Sequence, residues 1–189
     1  MMRKLSVSTL VTLDGVVQDP GGFGETPHGG WSGPFFDDQA VQHAYEHLMA
    51  SDAFLLGRET YELFKEYWQQ VHEGEYAARM NSIPKLVAST TLSEPLEWNA
   101  SLIGGDVAEE VAKLKQQAGK EILMYGSPTL MRTLAEHNLL DEYQFWVHPL
   151  VLGSGKRLFG DGFEQTSLKL IETKPLNTGV VILTYQPAS

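Results

Sequence analysis

Three short stretches bring glycines, hydroxyls and an arginine to places where an anion could be held. They are Gly57-Arg58-Glu59-Thr60, Ser89-Thr90-Thr91 and Gly126-Ser127-Pro128-Thr129. Each follows an apolar run, and the first and third lead directly into a helix-like pattern. Glycine lets the main chain approach a ligand closely. The first turn of a helix carries unpaired N–H groups and a partial positive charge, and arginine can meet a phosphate with two parallel hydrogen bonds. Together these residue types would cradle phosphate. Each stretch alone also reads as ordinary structure: Ser127 before Pro128 is a serine cap with proline in the first turn, Gly57 suits a turn, and Arg58 suits a solvated surface. Three such stretches, each at the end of an expected parallel strand, favour the ligand reading, because open α/β sheets bind ligands outside the carboxyl ends of their strands.

Other chemistries are weaker. The chain of 189 residues has no cysteine, which removes disulfides, thiolate nucleophiles and zinc–thiolate sites. His43-Ala44-Tyr45-Glu46-His47 has the spacing of a zinc-peptidase helix. By helical angle, however, both histidines fall opposite a core face of Val41, Ala44, Tyr45 and Leu48, and no third ligand is in frame, so no metal is expected. The other histidines, His148 before Pro149 included, read as structural. Gly153-Ser154-Gly155-Lys156 lacks the flanking residues of a P-loop, and Gly21-Gly22-Phe23-Gly24 neither follows a strand nor opens a helix. A net charge of −10 argues against a nucleic-acid surface. Any anion must be held by local donors against the field of the chain.

The elements that must position these residues can be read from periodicity. Leu5 to Leu13 alternates apolar and polar residues as a strand, and this alternation distinguishes it from a signal peptide. The protein is expected to be cytoplasmic, with no membrane span. From Asp14 to Phe36 run 23 residues with seven glycines and three prolines; a loop that long in one domain is usually functional. A helix capped by Asp37 or Asp38 runs to about Ala50. Strand and helix then alternate: a strand at Ala53–Leu56, a helix carrying Tyr61, Phe64 and Trp68, a strand ending at Ser89, another near Ser101–Ile103, a helix capped by Asp106, the strand before Gly126, and a helix from Ser127. The last third reads as strands joined by loops. Alternation implies a parallel sheet and the tail an antiparallel one, in one domain spanning 1–189.

At this level the chain resembles a family. Gly57-Arg58-Glu59-Thr60-Tyr61-Glu62 after a buried strand is similar to a stretch of dihydrofolate reductases and of the reductase domains of bifunctional deaminase–reductases in riboflavin synthesis. The likeness continues through VSTLVTLDGVV at the start, KLVAST, MYGSPTL and HPLVLGSGKRLF, in order over nearly the whole chain. The resemblance is to the stand-alone form of the RibD C-terminal domain family. It implies a dihydrofolate reductase-like α/β fold, a twisted, mainly parallel sheet flanked by helices. It also implies NADPH across the strand ends, and pairing of chains as homodimers. Carried over by position, Arg58, Thr60, Ser89 and Thr90 would hold the 2′-phosphate side. Gly126, Ser127, Pro128 and Thr129 would meet the pyrophosphate. Val151, Gly153 and Gly155, with Trp31, would lie near the nicotinamide or in the substrate pocket, and Asp14, the candidate catalytic residue, would face the reacting end with the glycine-rich loop after it.

Two departures bear on activity. Dihydrofolate reductases have Gly-Gly where this chain has Gly126-Ser127, and they carry an interior carboxylate on the first helix that has no counterpart among the expected core positions here. The resemblance therefore implies hydride transfer to a small riboflavin-pathway-type or pterin-like substrate rather than ordinary dihydrofolate reduction. A non-catalytic nucleotide-binding module with the same fold is the alternative.

Overall fold

The computed structural model describes residues 2–188. Its centre is β1 (Leu5–Thr12), paired in parallel with β5 (Glu121–Tyr125) on one side and β6 (Glu142–His148) on the other. Beyond β5 lie β2 (Ser51–Gly57), β3 (Lys85–Ala88) and β4 (Ala100–Ile103), all parallel. Beyond β6 lie β8 (Val181–Pro187) and then β7 (Leu168–Pro175), joined antiparallel to each other. The eight-stranded order is β4-β3-β2-β5-β1-β6-β8-β7. β8 is the strand that runs against the rest. The expected antiparallel tail is thus correct for the final hairpin but not for β6, which is parallel to β1. β6 stops at His148 because Pro149 has no N–H to continue a ladder.

Helices cover both faces. α4 (Val107–Gln116) and α5 (Pro128–Glu136) place Val111, Leu130, Met131 and Leu134 against Leu5, Val7, Val11, Ile122 and Met124. On the other face, α1 (Asp38–Ala50), α2 (Arg58–Trp68) and α3 (Glu75–Ser82) place Leu48, Tyr61 and Met80 against Phe54, Leu56 and Leu123. With cover on both faces, β1 is buried almost throughout, so its serines and threonines lie inside rather than facing solvent.

α1 starts as expected, with the Asp37 carboxylate accepting from Ala40 N at 3.0 Å, but its rotation differs. Val41 is exposed, while Ala40, Ala44 and Leu48 are buried. His43 and His47 are turned toward the sheet, not toward solvent. Ser6 Oγ lies 2.9 Å from His47 Nε2, and Lys174 Nζ lies 2.9 Å from His43 Nδ1. Polar partners inside the sheet make the histidines compatible with the buried face, which apolar counting alone does not register. Among the described residues no group of three or more His, Asp or Glu is placed to hold a metal. Likewise, no helix among them is long and apolar enough to cross a membrane.

Candidate active site

Because β2 and β5 are neighbours, the helices that follow them begin side by side. Gly57 is the N-cap of α2 and has no side chain to cap it, so the first-turn N–H groups are left for another acceptor. α5 begins beside it, with Ser127 in the left-handed region at φ 49° and its Oγ accepting from Leu130 N at 3.3 Å. A methyl group added at Gly57 would stand 3.1 Å from Ser127 Oγ, so glycine there makes room for the serine on the adjacent strand end. A methyl at Gly126 would lie 3.9 Å from Thr60 Oγ1, and Gly126 itself has φ +61°. The structure therefore brings Gly57, Thr60, Gly126 and Ser127 together, with Pro128 and Thr129 opening α5. These donors fit an extended diphosphate: free main-chain N–H groups, a hydroxyl, and glycine where side chains would block approach.

Arg58 is exposed at the head of α2 and is already engaged. Its Nη1 lies 2.9 Å from Glu62 Oε2, one helical turn on, and its Nη2 3.8 Å from Glu59 Oε1. Ser89 uses its hydroxyl locally, accepting from Thr91 N at 3.2 Å and Leu92 N at 3.1 Å. Thr90 beside it is exposed.

Asp14, just past β1, is a clamp between two loops. Its Oδ1 accepts from Thr12 Oγ1 at 2.6 Å and Leu152 N at 3.2 Å, and its Oδ2 accepts from Gly153 N at 2.8 Å. The Arg157 guanidinium donates to its carbonyl. The Thr12 hydroxyl and then the Gly153 amide pull its pKa down to about 2 against a small opposing effect of desolvation, so the group is a carboxylate at neutral pH. Around it the two loops form a short ladder, with Val17 N donating to Lys156 O at 2.9 Å and Leu158 N to Gly15 O at 2.8 Å. Gly155 sits where a side chain would strike Val16 Cγ1 at 2.7 Å. Val151 is exposed. Gly153 and Gly155 therefore build this corner.

The loop from Asp14 to Phe36 is ordered by a buried aspartate that reasoning from the sequence passed over. Asp19 accepts from Phe23 N at 2.6 Å and Thr26 N at 3.1 Å through its carboxylate, and from Gly30 N at 2.9 Å through its carbonyl. Asp19 before Pro20-Gly21-Gly22 is a recognisable turn-forming pattern and was the available signal. So tied, the loop crosses the strand ends. Phe23 reaches α2, with ring centroids 6.0 Å from Phe64 and 5.7 Å from Tyr67. Trp31 is buried and donates from Nε1 to Gln18 O at 2.8 Å. Trp31 and Phe35 stand edge-on to His148, with centroids 5.0 and 5.5 Å away. The Tyr76 and Tyr125 hydroxyls lie 3.5 Å apart. Burial pushes Tyr76 up to about 12 and raises Tyr125 well above the ordinary phenol value, so both are neutral phenols. No sequence signal links these two residues, which are 49 positions apart.

The comparisons with known proteins agree with this architecture. The profile of the RibD C-terminal domain matches residues 3–182. The protein YyaP of Bacillus subtilis is 31% identical over 191 residues, covering 97% of this chain and 94% of that one. A putative riboflavin biosynthesis protein from Shewanella sp. PV-4 superposes over 100% of both chains with a TM-score of 0.73 and 22% identity. The dihydrofolate reductase of Enterococcus faecalis, solved with NADP(H), does so over 100% of both chains at a TM-score of 0.65 and 12% identity. With a profile matched almost end to end on a dihydrofolate reductase-like fold, the chain belongs to the RibD C-terminal domain family.

Proposed function

We propose that the protein is an NADPH-dependent reductase that transfers a hydride to a small riboflavin-pathway-type substrate, an aminouracil or a related pterin-like ring. The observation that carries this reading is the apposition of two helix starts at Gly57 and Ser127, one of them without a side-chain cap. Gly126, Ser127, Pro128 and Thr129 would meet the pyrophosphate. Arg58 and Thr60, with Ser89 and Thr90, would take the 2′-phosphate end. The nicotinamide, when bound, supplies the hydride. The chain's own part is to bind and orient that ring, and to exclude water with the roof built from Trp31, Phe35 and Phe36. Asp14, held as an anion by three donors, positions the loop pair beside the reacting end and is not a proton donor at neutral pH.

The likeness to the Shewanella protein, whose name refers to riboflavin biosynthesis, and the NADP(H) held by the enterococcal reductase support this choice of cofactor and substrate class. The test is a binding titration with NADPH and NADH, followed by NADPH oxidation with aminouracil and pterin substrates. Tight NADPH binding with turnover is the expected outcome. Tight binding with no turnover across the panel would instead favour a nucleotide-binding module without chemistry, a reading the closed aromatic roof also permits.

A further inference from the structure

Of the buried polar atoms that find no hydrogen-bond partner among the described residues, one belongs to a ring beside Trp31 and Phe35. His148 ends β6 and is 1% exposed. Its Nδ1 lies 2.8 Å from the Trp146 carbonyl oxygen. A carbonyl only accepts, so Nδ1 carries the hydrogen, and Nε2 of the neutral ring is a bare acceptor. Burial lowers the imidazole's pKa against a weaker opposing pull from the Trp146 and Val11 carbonyls, which keeps the ring neutral. Nε2 finds no hydrogen-bond partner among the described residues. The imidazole stands edge-on to the rings of Trp31 and Phe35.

The position matters as much as the atom. His148 pairs in register with Thr12 at the end of β1, two residues before Asp14. β1 separates β6 from β5, where the Gly126–Ser127 cradle begins. Two strand spacings amount to roughly 10 Å, well within the reach of a dinucleotide and the substrate beyond it. Resting on the reductase reading, we infer that His148 Nε2 is a substrate-reading acceptor, covered by Trp31 and Phe35, that takes a ring N–H of a planar heterocycle when those two rings shift. An acceptor-only atom selects for a donor, and aromatic walls select for a flat ring. A cyclic amide or imide N–H, as in a uracil, meets both conditions. His148 would thus determine specificity; the hydride step needs no proton from it.

The probes are diaminouracil and its analogue methylated at both ring nitrogens, titrated with and without NADPH against the wild type, His148→Phe and His148→Gln. The wild type should bind diaminouracil about tenfold more tightly than the methylated analogue, the effect of one hydrogen bond to a buried acceptor. His148→Phe should lose that preference. His148→Gln, whose Oε1 accepts, should regain part of it. NADPH affinity should be the same in all three. In the wild type, the Nε2 nitrogen resonance of His148 should move on adding diaminouracil, a readout that holds even if a variant folds poorly. Equal discrimination in His148→Phe, an unmoved resonance, or no diaminouracil binding at all overturns the inference. Failure of NADPH to bind overturns the cradle instead, while the arm without NADPH still decides His148.

Discussion

Arg58 shows what a single residue can and cannot contribute to cofactor choice. A guanidinium at a helix start is well placed for a doubly charged phosphate, and charge-assisted hydrogen bonds contribute about 1.5–3 kcal/mol, or roughly ten- to a hundredfold in affinity. Glu62 already occupies Nη1 at 2.9 Å, so phosphate binding exchanges one partner for another, and the lower end of that range is expected. Arg58→Ala should weaken NADPH about tenfold and leave NADH nearly unchanged. Glu62→Gln should do the opposite, tightening NADPH severalfold with no effect on NADH. Parallel titrations of both cofactors check this; equal losses for both in Arg58→Ala would remove Arg58 from the 2′-phosphate site. Asp14→Asn is a second case. Asparagine keeps one acceptor but turns an amide donor toward Leu152 N or Gly153 N. The melting temperature should fall and turnover should drop more than NADPH affinity. Unchanged melting and turnover would reduce Asp14 to a turn residue. Local features of the site were legible in the sequence: a glycine and arginine at a helix start, a serine cap, and even Glu62 one turn after Arg58. The main-chain donors to Asp14, Leu152 N and Gly153 N, were not, because they lie 138 and 139 residues away, and only the parallel pairing of β1 with β6 brings them near.

The elements were legible where periodicity is strong and misread where burial is polar. α2, α4 and α5 follow their apolar spacing, and the Asp106 and Ser127 caps are where they should be. α3 is only eight residues long, with Ala77 and Met80 buried, too short for its period to stand out. On α1, Ala44 and Leu48 are buried as expected, but the face is rotated away from Val41 because His43 and His47, which count as polar, pack inward on a network that includes Ser6 and Lys174. That rotation carries a measurable consequence. Burial lowers His47 to about 4 from an ordinary 6.5, outweighing the opposing pull of Glu142. The folded state therefore prefers the neutral ring. Its contribution is fully present above pH 6.5, is lost progressively as pH falls from 6.5 to about 4, and changes no further below that. The full loss is about 3 kcal/mol. His43 is also lowered, chiefly by burial and then by Lys174, and adds in the same direction. Denaturant unfolding of the wild type and His47→Gln across this range should give a shallower pH slope for the variant. Parallel slopes would mean that His47 titrates as freely in the fold as in the unfolded chain.

At the scale of the molecule, the question is what covers the far end of the sheet. Phe145, Trp146 and Val147 are large apolar residues in succession, so both faces of β6 need cover. On one face α1 and Phe36 supply it, Phe36 stacking on Trp146 with centroids 5.8 Å apart. On the other face Tyr143 and Phe145 share a core cluster with Leu130, Met131 and Leu134 of α5. A hollow of about 470 Å³ remains, walled by Val11, Phe145, Val147, Leu183 and Tyr185. Leu13, Phe159 and Leu170 are 64%, 51% and 50% exposed around or beside it. A second copy of the chain is our proposal for the cover. Fully burying one large apolar side chain contributes about 1.5–3 kcal/mol, while association costs about 4–15 kcal/mol, so several such side chains must be buried together and loss of one should be decisive. Phe159→Asp should therefore yield a folded monomer, since α5 still seals the main core, whereas the wild type should sediment as a dimer at micromolar concentration. Salt separates this interface from the cofactor site. Each chain carries −10, so screening relieves repulsion between copies and should strengthen the dimer, while the same screening weakens an exposed arginine–phosphate contact and should erode the preference for NADPH. A wild type that sediments cleanly as a monomer at both low and high salt would leave that face of β6 to some other partner and end the dimer proposal.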